Sequence, residues 1–299
     1  MSTATTPPIP AFRSGTIDDW PAIAPMIAET WEIGDYIDES LWRAWTVDGS
    51  AQLIVATLDD QVTGFARLAK LGPAEWWLED LRTDPQQRGQ GIGRALLEQI
   101  IELFKKDAIG ILRFFTSNTN EIMPGLAKEF GFLHTMSYAP MQIAAQPADY
   151  RNLKLLRPSN LGMVYTHLRR SPMYRVNRFA EHRGIAYYLT QERLGEYLSD
   201  PAIQVLGWRQ FGQLNGIAIL MSSASQEGST MDIAYLEAPD DTSLRAMLDA
   251  LQGLATKQNC QRVTWKIPLG IGLDRLILTT ELEKCEDEEL RLYELPLRH

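Results

Sequence analysis

The stretch Glu79 to Leu97, EDLRTDPQQRGQGIGRALL, limits what this chain can fold into more than any other part of it. A strand-like run ends there, a polar turn with glycines at 89, 91 and 93 follows, and a helical pattern starts at once. Glycine lets a backbone approach a ligand closely. The first N–H groups of the helix have no intrahelical partners and sit at the positive end of its dipole. That order of parts makes an anion site suited to phosphate, although the same parts also build a strand-to-helix turn without a ligand. Two other phosphate motifs do not fit. No G-x-x-x-x-G-K-[ST] run occurs. A dinucleotide fingerprint would need a third glycine where Arg94 or Leu96 stands.

The surrounding periodicity predicts a mixed α/β fold. Apolar residues at helical spacing from Asp18 to Trp31 predict one helix, and Asp38 to Thr46 a second. Ala51 to Leu58 and Val62 to Leu71 read as a hairpin joined by Asp59, Asp60 and Gln61, and Glu75 to Thr83 as a third strand. A helix over Gly91 to Lys106, a strand over Ile111 to Thr116 and a short helix over Glu121 to Phe130 follow. The second half repeats this order. Val62 corresponds to Leu214, Lys106 to Lys257 and Ile111 to Arg262, at a nearly constant offset. Two copies of one mixed unit are expected, each a mostly antiparallel sheet flanked by helices. The expected division is a flexible tail over 1–11, a first domain over 12–145, a linker over 146–151 and a second domain over 152–299.

Charge and cysteine usage narrow the class. With 29 basic against 38 acidic residues, the net charge of −9 argues against nucleic acid, whose recognition calls for a basic surface. Cys260 and Cys285 are too far apart for a C-x-x-C pair, and the four histidines lack metal-ligand spacing, so no metal is expected. The N-terminus, MSTATTPPIP, does not read as a secretory signal, and no run approaches the roughly 18 apolar residues of a membrane helix. The expectation is a cytoplasmic protein with no membrane partner, and a homodimer is left open.

Arg88-Gly89-Gln90-Gly91-Ile92-Gly93 resembles the R/Q-x-x-G-x-G/A acetyl-CoA motif of the GNAT superfamily of N-acetyltransferases. Its context is similar too: EDLRTDP before it, and NTNEIMPGLAKEFGF, Asn118 to Phe132, after it. The resemblance covers about Ile54 to Phe132 and implies two tandem GNAT-like domains, the second degenerate. It implies acetyl-CoA as co-substrate. Backbone amides from Arg88 through Gly89, Gln90, Gly91, Ile92 and Gly93 to Arg94 would hold its pyrophosphate. The backbone of Leu81 and Thr83 would pair with the pantetheine arm, which Asn120 would face. Leu81 N–H would polarise the thioester carbonyl. The family's usual tyrosine, its candidate for protonating the departing sulfur, is replaced by Ala127. For a thiol of pKa about 8.5 that loss costs only about 2 kcal/mol at pH 7, which slows transfer without abolishing it.

Proton removal from the acceptor is the larger demand. For a lysine-like ammonium it costs roughly 4.6 kcal/mol at pH 7. Strand periodicity would put Trp77, Glu79, Leu81 and Thr83 on one face, making Glu79 the leading base, with Asp80 and Glu75 behind it. The alternative is that Glu79 pairs with an arginine. From Glu29 to Asp48, six carboxylates stand against Arg43 alone, interleaved with Trp31, Tyr36, Trp42 and Trp45. A cationic acceptor could use that mixture, or the tryptophans could pack inward. From Arg151 to Arg183 eight basic residues face one acid, Glu181, as a solvated face or as a contact for the acidic first domain, a partner chain or an anionic ligand. The combined expectation is acetyl transfer to an amine-bearing acceptor, with a non-catalytic acyl-CoA-binding or regulatory protein as the alternative. In the second half, Glu237 to Leu248 has no glycine, and Asp241, Thr242 or Ser243 could cap its helix, so no second CoA site is expected.

Overall fold

A computed structural model describes residues 9–29, 37–107, 109–221, 230–285 and 287–297. The chain divides into two compact units. The first comprises residues 1–114, 122–133 and 293–299, and the second 115–121 and 134–292. The units therefore interleave along the chain, where the sequence reading places two consecutive stretches.

The first unit runs β1 (Ala11–Ser14), α1 (Trp20–Glu29), α2 (Glu39–Val47), β2 (Ala51–Leu58), β3 (Gln61–Gly72), β4 (Glu75–Thr83), α3 (Ile92–Asp107), β5 (Gly110–Ser117, as far as Phe114) and α4 (Met123–Glu129). It also takes residues from Tyr293 on of the chain's last strand, Leu290–Leu297, which neighbours β5. β1 to β4 pair antiparallel, and β4 pairs parallel with β5. The β2–β3 hairpin turns on Asp59 and Asp60, both at positive φ, a two-residue turn whose twist matches the strands.

Alternation along the strands explains the two cores. Leu53, Val55 and Phe65 point to one face and pack with Ile23, Ile27, Trp42 and Trp45 of α1 and α2. Ile54, Ala56, Ala66 and Leu68 point to the other and pack with Leu96, Ile100 and Phe104 of α3. Covered on both sides, β3 is apolar through most of its buried stretch, where Arg67 is the charged residue, Lys70 being exposed. Trp42 is fully buried, a burial contributing roughly 2–3 kcal/mol, and its indole N–H donates to Thr16 O at 2.9 Å.

The second unit also has a mixed sheet with helices, and adds a separate two-stranded sheet. It contains β6 (Leu133–Ala144, from His134), β7 (Leu153–Leu155), α5 (Leu161–Arg170), α6 (Pro172–Val176), β8 (Phe179–His182), β9 (Ile185–Tyr188), α7 (Gln191–Ser199), β10 (Ile203–Gln210), β11 (Gln213–Met221), β12 (Thr230–Glu237), α8 (Asp241–Lys257), β13 (Arg262–Pro268), α9 (Asp274–Thr279) and β14 (Glu283–Lys284). Its sheet has the order β6-β13-β12-β11-β10-β7, with β12–β13 parallel and β14 on β6. Among the described residues no helix is long and apolar enough to cross a membrane, and no group of three or more His, Cys, Asp or Glu is placed to hold a metal ion.

Candidate functional site

The site grows out of the second half of β4. Parallel pairing with β5 runs from Glu75↔Ile111 only to Trp77↔Arg113. Among the described residues the β4–β5 ladder goes no further, which leaves the β4 edge at Leu81 and Thr83 as a place for an extended ligand. On the β3 side the register jumps from Arg67↔Glu79 to Phe65↔Arg82. One extra residue on β4 makes a bulge, centred where Asp80 takes φ 50°.

The bulge reverses the expected faces. Glu79 shares a face with Trp77 and Arg82, toward the α1–α2 core that holds Phe65. Leu81 and Thr83 point the other way, toward the start of α3, where a Cβ built on Gly93 would lie 3.5 Å from Thr83 Cγ2 and 3.7 Å from Leu81 Cδ2. The four residues expected on one face therefore divide into two pairs, one on each side of the strand.

From Thr83 the chain enters a short turn of helix, Pro85–Gln87, where the Asp84 carboxylate accepts the Gln86 N–H at 2.8 Å. Arg88, Gly89 and Gly91 are exposed, and the Gln90 amide donates to Gln87 Oε1 at 2.7 Å. Gly89 and Gly91 have φ of 79° and 80°, and an added Cβ at either would meet nothing within 4 Å. Their glycine identity thus serves backbone conformation, not space. Gly91 has no side chain to cap α3, and its carbonyl takes the Ala95 N–H at 3.0 Å. No acceptor among the described residues takes the N–H groups of Ile92 or Gly93, and no acid lies in the first turn of α3. The residues present fit a diphosphate beside an extended arm. Arg94 is exposed and donates to Glu129 of α4 at 2.6 Å, its guanidinium 5.3 Å from the Phe130 ring centroid. Asn120 belongs to the second unit, in the turn after β5, its N–H donating to Ser117 O.

The three carboxylates of β4 itself are ion-paired. Buried Glu79 pairs with Arg67, which also pairs with Asp48 and stacks its guanidinium over the Trp45 ring at 5.1 Å. Asp80 pairs with Arg82 at 3.0 Å. Glu75 accepts from Arg113 at 3.2 Å, and Arg113 donates to Glu294 at 2.5 Å. The Ser50 hydroxyl and N–H, with Arg67, hold the Asp48 carboxyl below its ordinary value against the opposing effect of burial. Arg67 Nε is buried without a hydrogen-bond partner. Sequence reasoning passed over Arg67 and counted Asp48 only among the carboxylates of the acidic segment. The signal for Arg67 was its charge inside an apolar run that had to be buried on both faces.

The acidic segment does not make an aromatic-lined cage from its described residues. Trp42 and Trp45 are buried in the core, Asp38 caps α2, and Glu39 pairs with Arg43 at 3.0 Å. Trp31, Glu32, Asp35 and Tyr36 lie outside the described residues. Ala127 is fully buried among the α3-side apolar residues, so its position brings no hydroxyl. In the second unit the helix that corresponds to α3 is closed to an anion. Asp240, one residue before the expected caps, accepts the Ser243 N–H of α8 at 2.8 Å, and Asp241 adds a charge in the first turn.

Residues 11–132 match the Acetyltransferase (GNAT) family. Among solved structures, the chain is similar to the GCN5-related N-acetyltransferase of Sphaerobacter thermophilus, at 17% identity and TM-score 0.66, with 99% of this chain and 98% of that chain covered. It is also similar to GCN5-related N-acetyltransferases of Kribbella flavida (14%, TM-score 0.55, 96% and 72% covered) and Anabaena variabilis (12%, TM-score 0.55, 95% and 72% covered). At such identities the likeness is one of fold. No curated protein matches the chain.

Proposed function

We propose, from the match of residues 11–132 to the Acetyltransferase (GNAT) family, that the protein transfers acetyl from acetyl-CoA to a primary amine by direct attack on the thioester. The observation that carries this reading is the union of an open β4 edge with an uncapped α3 reached through two positive-φ glycines. Acetyl-CoA supplies the activated acetyl group. The backbone from Arg88 to Arg94 holds its pyrophosphate, Leu81 and Thr83 present the strand edge to its pantetheine arm, and Leu81 N–H faces the carbonyl oxygen. α8 offers no equivalent, because Asp240 already satisfies its first turn.

Glu79 remains the candidate base, now as one member of a buried chain with Arg67 and Asp48. Asp48 shares the Arg67 charge, so the guanidinium positions Glu79 without belonging to it alone. The bulge sets this chain on the α1–α2 face, away from Leu81 and Thr83, so amine and thioester would meet from opposite sides of β4. The cationic form of the amine would be drawn to that face by the Glu79 and Asp48 charges. A panel of primary amines, including polyamines and peptide N-termini, should release thiol from acetyl-CoA above the amine-free rate. Tight CoA binding with no amine-dependent release would favour the non-catalytic acyl-CoA-binding reading.

A further inference from the structure

None of the residues placed around β4 and the start of α3 comes from the basic segment Arg151 to Arg183. Within the second unit its charges divide. Arg151 closes onto Asp149 at 2.7 Å. Arg169, Arg175 and Arg178 instead line one cavity of about 450 Å³, together with Tyr165, Tyr174 and Tyr188, and among the described residues no carboxylate lines it.

The local fold fixes this convergence. Tyr165 and Arg169 lie four residues apart on α5 and so share a face. The Ser171 hydroxyl caps α6 by accepting the Tyr174 N–H at 3.3 Å. Tyr174 is buried and its hydroxyl donates to Leu189 O at 2.5 Å, while Leu189 N–H donates to Arg178 O at 2.8 Å. These bonds strap the Tyr174 and Arg178 walls to the end of β9. The Arg178 guanidinium then donates to the Tyr188 hydroxyl at 2.7 Å and lies 5.6 Å from the Tyr174 ring centroid. Arg178 is thus oriented by neutral aromatic groups and not by a counter-ion, and Arg169 and Arg175 are exposed beside it.

We propose that this cavity binds a small phosphate-bearing anion. Arginine stays charged at any working pH, so three guanidiniums meet with nothing on the wall to balance them, in a chain of net charge −9. A single carboxylate would balance one of the three. A phosphate monoester brings about −1.5 to −2 charges and three acceptor oxygens, and a diphosphate brings more, which suits the forked donors of arginine. The volume is that of a small-molecule site. This is not the CoA-type anion site, which lies in the other unit and is built of backbone N–H groups.

The test is calorimetric titration with pyrophosphate of the full chain carrying Gly91→Ala, which weakens the backbone N–H site, run without CoA because CoA itself carries phosphates. Pyrophosphate should bind at one equivalent, at least tenfold more tightly than acetate. Arg169→Gln combined with Arg175→Gln should weaken it at least tenfold. Both side chains are exposed, so the fold should survive, and the single Arg175→Gln variant decides if the pair does not fold. Arg178→Lys keeps the charge but loses the fork held by Tyr188, and should weaken pyrophosphate as well. Absence of binding, equal binding of acetate, or unchanged affinity in the arginine variants would each overturn the proposal.

Discussion

Gly91 and Gly93 stand two residues apart, yet the structure predicts opposite effects on stability when each becomes alanine. Gly93 sits inside α3 without a positive φ, and a Cβ there would meet Thr83 and Leu81 at 3.5 and 3.7 Å, ordinary contact distances. The fold should accept the methyl, and replacing glycine by alanine in a helix stabilises by up to about 1 kcal/mol, or about 2 °C in Tm for a chain of this size. The same methyl projects into the angle between α3 and the open half of β4, where the pantetheine arm has to pass. Gly93→Ala should therefore raise Tm slightly and weaken CoA at least tenfold, about 1.4 kcal/mol. Gly91 has φ 80° with open space around it, so Gly91→Ala costs about 1–2 kcal/mol of backbone strain and clashes with nothing. It should lower Tm, and weaken CoA by turning the first N–H groups of α3 out of line. Differential scanning calorimetry and CoA titration of both variants check the pair. A Gly93→Ala protein that binds CoA as the wild type does would refute the placement of the ligand between α3 and β4.

Glu79→Gln should lower turnover roughly 10²-fold near pH 6, where the amine most needs its proton removed, with the defect shrinking toward pH 9. It should also destabilise by up to ~3 kcal/mol, because Arg67 is buried and would retain only Asp48, and equal rates to wild type from pH 6 to 9 would remove Glu79 from the mechanism. Burial would push the Asp19 carboxyl up, but Arg13 together with the Thr16 N–H and hydroxyl outweighs it and holds the group below its ordinary value. A lowered folded-state value contributes stability above about pH 4 that is lost as pH falls through that value, so the stability gap between wild type and Asp19→Asn should close in acid denaturant melts. A gap independent of pH would contradict it.

The β4–turn–α3 junction was legible because its signals are local. Glycine spacing, the end of a strand pattern and the start of a helical one all fall within Glu79 to Leu97. The β2–β3 hairpin was legible for the same reason, with Asp59 and Asp60 tolerating the left-handed turn. The bulge at Asp80 was not. Nothing in EDLRT marks an extra residue, and only the register against β3 reveals it, so strict alternation sent Leu81 and Thr83 to the wrong face. The fate of Glu79 depended on Arg67, twelve residues away on a neighbouring strand, and pairing partners at that range leave no trace in local spacing. Tyr293 is the extreme case. It stacks on Phe114 within the first unit at a ring separation of 5.3 Å, although the sequence reading assigned it to the second domain. The inward packing of Trp42 and Trp45 follows from the α1–α2 core being a separate cluster that needs large side chains, which periodicity alone cannot distinguish from an exposed aromatic face.

The most direct test of the central claim is a calorimetric titration of the full-length chain with acetyl-CoA. The open edge of β4 and the uncapped start of α3 occur together in the first unit, whereas Asp240 occupies the corresponding helix start in the second. Saturation at one equivalent per chain, lost or weakened at least tenfold in Gly91→Ala, is the predicted result. No binding to a folded protein, or two equivalents of similar affinity, would contradict it.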